Sequence, residues 1–454
     1  MNANSTDMTQ GRPASLILRF AFPLVIANLF QQGYSVVDNI IVGRWVGANA
    51  FSAVGATIAL TNTFMAMCWG STIGLSVVVS QYFGAKDEEK TAAAIINGFY
   101  VCVAIAVFMT AAALSLTHPL LRLLNTPEEL IGDAATYMQV IVGGGLVIVT
   151  VYHSAFSALR AFGDSKTPLF FMIAANLLNV GLDLLFVGPL KMGVFGAALA
   201  TVLSQLIAAV CCLGYAFMRF DYFKRALWYS KPDGRLIGQI LKIGVPSGFQ
   251  YSLIFLSGSV LQWIINGFGA SVIGAFTATS RIETLIEQPF AGLANAFVTY
   301  TGQNIGAGRI ERVKQGLRVA AWASALFSLV LLLVFWTAGD VIMGIFVDDS
   351  GIVSLSATGI RITSVFFFAM GMSRVFRNLL NGAGDSLYSM VNGVVEIVGR
   401  VGLALFLTRV AFIGIWGIWA ATCLTWVITV FFALWRYKSE AWMSKSLVME
   451  MAGF

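Results

Sequence analysis

Two aspartates carry the chemistry that the sequence makes most legible. Asp38 ends a polar stripe formed with Gln31, Tyr34 and Ser35, whose spacing places all four on one face of a helix. Asp183 ends a second stripe, with Asn176 and Asn179 at the same helical spacing. Both stripes lie in otherwise apolar runs. Carboxylates withdrawn from water beside one another favour holding a proton. The same oxygens, with help from Asn179, would suit Na⁺. Thr201, Ser204 and Gln205 on a later run would add ligands. The plainer alternative is that each aspartate hydrogen-bonds across helices and does no more.

Three other groups are candidates for the same environment. Glu396 precedes Arg400 by four residues, the favourable order for an intrahelical pair. Both a structural ion pair and a substrate contact are open to it. Arg281, Glu283 and Glu287 lie just before Pro289. Arg281 and Glu283 are two apart and do not face each other, so they need partners elsewhere, Arg361 among them; a packing network or a substrate contact would follow. His153, with Ser154 and Ser157 nearby, is a packing residue or a cleft residue. Pro23 lacks an N–H and is a place where a helix can bend. Gly143-Gly144-Gly145 suits close helix approach. The many Phe and Met side chains would suit a cleft that adapts to apolar ligands. The five cysteines show no metal spacing and read as packing residues.

The elements that position these residues follow from composition. Of 454 residues, 58% are hydrophobic and 11% charged, with a mean hydropathy of +0.81; soluble proteins carry roughly 25% charge. A soluble globular protein is excluded. Twelve apolar runs reach the length of about 20 residues that a helix needs to cross a bilayer. They lie near 15–40, 50–80, 92–117, 131–158, 168–188 and 195–218, then 238–265, 272–302, 315–338, 354–381, 387–408 and 414–436. Strands of a membrane barrel need only ~10 alternating residues, so the reading is an all-α integral membrane protein. The segment Met1–Gln10 is polar and has no signal-peptide core, which makes the first run a retained span. Charges inside such spans cost at least ~2.5–3.5 kcal/mol and are functional candidates by default. Asp38 lies 19 residues past Arg19, and Asp183 19 past Asp164. At ~1.5 Å per residue both sit roughly 28 Å from the same interface, so one pocket can hold them.

The chain repeats itself. Phe22-Pro23 recurs as Val245-Pro246, and Gln81-Tyr-Phe-Gly-Ala as Gln303-Asn-Ile-Gly-Ala. Gly163-Asp164-Ser165 recurs as Gly384-Asp385-Ser386, and Gly193-x-x-Gly196 as Gly414-x-x-Gly417, all at offsets of 221 to 223 residues. Six spans per unit give both units the same orientation, with a cleft between them. The expected organisation is a tail (1–14), an N-lobe (15–218), a link (219–237), a C-lobe (238–437) and a second tail (438–454). By the 221-residue offset, Arg400 and Ala404 replace Asn179 and Asp183, so the carboxylate site belongs to one lobe only. With the termini cytoplasmic, 21 Lys and Arg fall on that side and four, Arg44, Arg122, Lys191 and Arg409, on the other. Arg281, Arg361 and Arg400 remain inside spans. Topology accounts for the pI near 9.1, and no support is left for a nucleic-acid partner.

No GxSxG elbow, HExxH motif, Cys/His cluster or Walker A loop is present. An intramembrane enzyme and an ATP-driven pump therefore fit poorly, and a channel has no need of a carboxylate pair in one lobe. An ion-coupled secondary transporter accounts for lobes, cleft and carboxylates together.

The run Pro23…Gln31-Gln-Gly-Tyr34-Ser-Val-Val-Asp38…Gly43, the Gln81 loop, the twin Gly-Asp loops and Arg281-Ile-Glu283 resemble the multidrug and toxic compound extrusion (MATE) family over about residues 15–437. The resemblance implies twelve helices as a V-shaped pair of six-helix lobes. It implies export of organic compounds, cationic amphiphiles above all, in exchange for H⁺ or Na⁺, with no further cofactor. Among the branches, the sequence is most similar to the DinF-like one. That likeness implies an ion-coupling site of Asp38, Asn179, Asp183 and Thr201. His153, Ser154 or Ser157 stands where the family carries a helix 4 asparagine, and Ile254 lies near the place of the NorM-like acidic residue. The resulting expectation is a monomer in the cell (inner) membrane, in contact with lipids and small organic substrates. A flippase for lipid-linked or other amphiphiles is the alternative within the same superfamily.

Overall fold

The computed structural model describes residues 6–229 and 231–448, and every regular element among them is helical. The first half comprises α1 (Pro13–Ile41), α2 (Ala48–Gly84), α3 (Glu88–Leu123), α4 (Glu128–Met138), α5 (Leu146–Ala161), α6 (Lys166–Val187) and α7 (Gly193–Arg219). A short link helix, α8 (Asp221–Ala226), follows. The second half comprises α9 (Gly234–Asn266), α10 (Ala270–Gly306), α11 (Ile310–Gly344), α12 (Ser350–Ser364), α13 (Phe367–Ala383), α14 (Ser386–Leu407) and α15 (Gly417–Lys438). Without the link helix these form twelve transmembrane rods in two six-membered lobes, the V-shaped architecture that the family resemblance implies.

Local chemistry sets the helix ends. Asp87 accepts the amide of Lys90 at 3.0 Å, Asp233 that of Arg235 at 2.8 Å, and Asp349 that of Ile352 at 2.9 Å, each satisfying an orphan donor of the first turn. The twin loops turn through glycine, with φ of +78° at Gly163 and +93° at Gly384. Asp164 then accepts the amides of Lys166 and Thr167. Its counterpart Asp385 is instead held by Arg436 at 2.7 Å.

Two rods differ from the unbroken spans read in the sequence. The fourth is α4 and α5, bent by 48°, and the tenth is α12 and α13, bent by 51°. In the fourth, a π-helical turn over Gln139–Gly144 runs into Gly145, where a Cβ would lie 2.5 Å from Val202 and 2.8 Å from the Ile141 carbonyl. The glycine triplet thus serves both a bend and the close approach of α7. In the tenth, the Ser364 hydroxyl donates to the Arg361 carbonyl at 2.8 Å, a side-chain bond that competes with the backbone ladder. Among the described residues nine helices, or eleven spans with the bent pairs, are long and apolar enough to cross a membrane. The twelfth, α10, is more polar, carrying Arg281, Glu283, Glu287, Gln303 and Asn304.

The lobes meet along α2 with α9 and α1 with α10. Small residues permit the approach: a Cβ on Gly70 would stand 2.2 Å from the Gly248 nitrogen, and one on Gly74 2.5 Å from the Ile240 carbonyl. The α2–α9 contact extends to Ser252, which donates to the Thr63 carbonyl at 3.3 Å, and to Trp69 against Phe255. Farther along, Phe51 and Ile58 of α2, Val36 and Ile40 of α1, and Trp263 of α9 are exposed. The V is therefore joined on the side that carries both chain ends, and its arms part on the far side.

Candidate functional site

α1 and α6 pack together in the N-lobe with α7 beside α6, and this brings the two polar stripes face to face. The carboxyl groups of Asp38 and Asp183 lie within hydrogen-bonding reach of one another. Asp183 is fully buried and Asp38 half-buried. Asn179 donates to the Thr201 hydroxyl at 3.4 Å, and Tyr34 also reaches Thr201. Farther along both helices, Asn176 donates to the Gln31 side chain at 3.3 Å. Asp38, Asp183, Tyr34, Asn179 and Thr201 thus form one cluster, with Asn176 and Gln31 above it. Ser35 lies on the exposed face of α1.

The cluster is rich in acceptors and poor in donors. Among the described residues, Asp38 Oδ1, both Asp183 oxygens and Asn179 Oδ1 are buried without a hydrogen-bond donor. Buried acceptors left so are costly. A proton between the carboxyls, or a cation bonded to these oxygens, would relieve them.

Sequence reasoning missed one member. Tyr137 of α4 packs on the apolar cluster of Ile41, Val54 and Val187, within electrostatic range of both carboxylates and of Tyr34. It lies on the fourth rod, where the sequence points instead to His153 and Ser154. Those two go elsewhere. His153 packs edge-on against Trp69 and Tyr152, and the Ser154 hydroxyl donates to the Thr150 carbonyl at 2.7 Å. The bend between α4 and α5 separates Tyr137 from them. Its own position three residues before the run Val140-Ile-Val-Gly gave no polar stripe to read.

Beside the cluster, between α1 and α6, lies a cavity of about 680 Å³ lined by Ile26, Leu29, Phe30, Gly33, Tyr34, Val37, Asn176, Leu177 and Val180. Its wall is apolar except for Tyr34 and Asn176, the two residues that lead toward the carboxylates. A drug-sized amphiphile fits such a pocket in volume and in polarity.

In the C-lobe the counterparts are different in kind. Glu396 Oε1 accepts from Arg400 at 2.7 Å, while Oε2 accepts from Arg377. Arg400 also donates to Ser257 at 3.3 Å, and Arg377 to Asn392 at 3.3 Å. Arg374 pairs with Glu287 of α10. Two readings change here. Arg374 and Arg377, counted from sequence among the charges of the termini side, belong to this interhelical network because α13 turns them inward. Arg361 is not the partner of Arg281 or Glu283; it pairs with Asp340 of α11. Glu283 instead reaches Thr363 and lies near Arg400, with its Oε1 lacking a donor, and Arg281 is exposed. Side-chain exposures of 8% for Glu396, 9% for Arg377 and 14% for Arg400 mark an interior brace. Arg374 and Glu287, at 29% and 30%, are only half-buried.

Pro23 lies buried within a continuous α1. Close by, Val25 packs on Gly292, where a Cβ would meet the Val25 nitrogen at 2.9 Å.

Comparison with known proteins gives the same architecture. The family description MatE matches residues 23–185 and again 246–406, one copy in each lobe. The chain is 29% identical over 395 residues to the probable multidrug resistance protein YpnP of Bacillus subtilis (strain 168), covering 86% of this chain and 87% of that protein. It is 24% identical over 386 residues to the multidrug export protein MepA of Staphylococcus saprophyticus, covering 84% and 85%. Among solved structures, an outward-facing conformation of a multidrug resistance MATE family transporter of the MOP superfamily superimposes with a TM-score of 0.90 at 22% identity, over 98% of this chain and 100% of that one. The duplicated family match and the shared twelve-rod fold agree: this chain belongs to the multidrug and toxic compound extrusion (MATE) family of membrane transporters.

Proposed function

We propose that the protein is a secondary multidrug efflux transporter that exports organic, cationic and amphiphilic compounds by antiport with H⁺, with Na⁺ as the alternative ion. The observation that carries this reading is the facing pair Asp38 and Asp183, four of whose surrounding oxygens lack donors. The names of the relatives support the substrate class, and the adjoining apolar cavity supports an amphiphile.

In this reading the pair empties and fills with the ion on opposite sides of the cycle. Binding of a proton removes buried negative charge and lets α1 repack against α6, with Pro23 as the weak point of its backbone ladder. Repacking narrows the cavity against Leu29, Phe30 and Val37, so ion and substrate occupy competing states, as coupling requires. The C-lobe has Leu261, Arg400 and Ala404 at the corresponding places and serves as a braced partner. The protein acts as a monomer in the cell (inner) membrane, its contacts being lipid and small organic molecules, with no nucleic acid and no cofactor besides the ion. The basic residues of the link and of the α10–α11 turn support a cytoplasmic side for both termini.

The test is exchange by the purified protein in liposomes under imposed gradients. Efflux of a cationic amphiphile driven by a pH gradient supports the reading, and replacing Na⁺ by choline at fixed pH separates the two ions. Failure of both gradients to drive exchange overturns it.

A further inference from the structure

The joined side of the V is held by two glutamines that occupy the same place in the two repeats. Gln81, near the end of α2, donates through Nε2 to the Gly382 carbonyl at 2.9 Å and accepts at Oε1 from the Leu447 amide at 3.0 Å. Gln303, near the end of α10, donates to the Ala161 carbonyl at 2.8 Å and accepts from the Met8 amide at 2.8 Å. Each side chain therefore crosses to the opposite lobe, reaches the carbonyl that precedes a twin Gly-Asp loop, and clamps a chain end. Both are 0% exposed. Their backbones are interlocked as well: a Cβ on Gly84 would lie 2.0 Å from the Gln303 carbonyl, and one on Gly306 1.9 Å from that of Gln81.

Residues 6–11 and 442–448 are structural parts of this closure. Met8 and Leu447 are buried, at 0% and 1% exposure. The Thr6 amide donates to Phe162 at 3.1 Å, and the Thr6 carbonyl covers Gly163. The Lys445 carbonyl covers Gly384 in the same way. Asn304 and Arg312 hold Met8 from the C-lobe.

We propose that Gln81 and Gln303 are paired bolts of a termini-side gate, with residues 6–11 and 442–448 as its latch plates. Alternating access requires this side to open. When it does, each bolt must give up two buried hydrogen bonds, and both chain ends must leave the lobe interface together with the amides. Neutral amides suit the role because they lock without desolvating a charge and their partners can be taken over by water. The gate does not depend on which ion is coupled or on Asp38 and Asp183.

The test measures two distances in a variant lacking the five native cysteines. Spin labels at Lys166→Cys and Leu387→Cys, equivalent positions in the two lobes, report the joined side. Labels at Leu123→Cys and Ile345→Cys report the far side, where both residues are exposed. In Gln81→Ala/Gln303→Ala the joined-side distance is expected to gain a longer population while the far-side distance gains a shorter one. The ratio should shift by about tenfold per glutamine, the factor that goes with two neutral hydrogen bonds. Removal of residues 2–10, which leaves the helices untouched, should shift the ratio in the same direction by less, and it serves if the double variant does not fold. Unchanged distances, or broadening of both without the reciprocal shortening, would overturn the proposal.

Discussion

Asp38 on α1 and Asp183 on α6 face one another in the N-lobe with three of their four carboxyl oxygens buried and without a donor among the described residues. A pair so arranged is under-satisfied until a proton or a cation arrives. Replacing either residue by Asn supplies a permanent donor and removes the site's ability to cycle. Asp38→Asn and Asp183→Asn should both fold and retain substrate binding, yet lose gradient-driven exchange by on the order of tenfold or more. The double variant should be little worse than either. Exchange at the wild-type rate in Asp38→Asn would sink this assignment.

The C-lobe network predicts an asymmetry between its members. Glu396 is the shared ion-pair partner of two arginines, so Glu396→Gln leaves Arg377 and Arg400 without their carboxylate and should cost about 3–5 kcal/mol. Arg400→Gln leaves the Glu396–Arg377 pair and should cost less. Glu396→Gln/Arg400→Gln should fall between them. Thermal unfolding in detergent orders the three, and equal melting temperatures for the single variants would argue against the shared carboxylate.

Backbone contact between α2 and α9 leaves no room for a side chain. Gly70→Ala would set its methyl against Gly248 backbone, which cannot yield, and should destabilise by roughly 1–3 kcal/mol. Gly55→Ala, in open space on the same helix, is the control and should be silent. Similar loss at both positions would show that the lobe contact is not responsible.

Topology is tested by labelling. Lys231→Cys in the link, on a background without the exposed Cys211, should react with a membrane-impermeant maleimide only after the cytoplasmic face is opened. Reaction in intact cells would reverse the orientation and the assignment of the joined side with it.

Hydropathy and repetition alone were enough to establish the spans, the two lobes and the matching depth of Asp38 and Asp183. The reason is that a bilayer imposes a length, and a helix converts residue number into depth. Neither quantity reports the rotation of a helix about its axis or the identity of its neighbour. Only the tertiary structure decided that Tyr137, rather than His153 or Ser154, lies near the carboxylates. The bend after the π-helical turn sends those residues to different surroundings. It also decided that Glu396 shares its charge with Arg377 as well as Arg400, and that Arg361 goes to Asp340. The Gln81 and Gln303 motifs were visible as a repeat, but their partners lie about 140 to 370 residues away in the chain. Such bonds follow from how two lobes dock, and no local pattern encodes them.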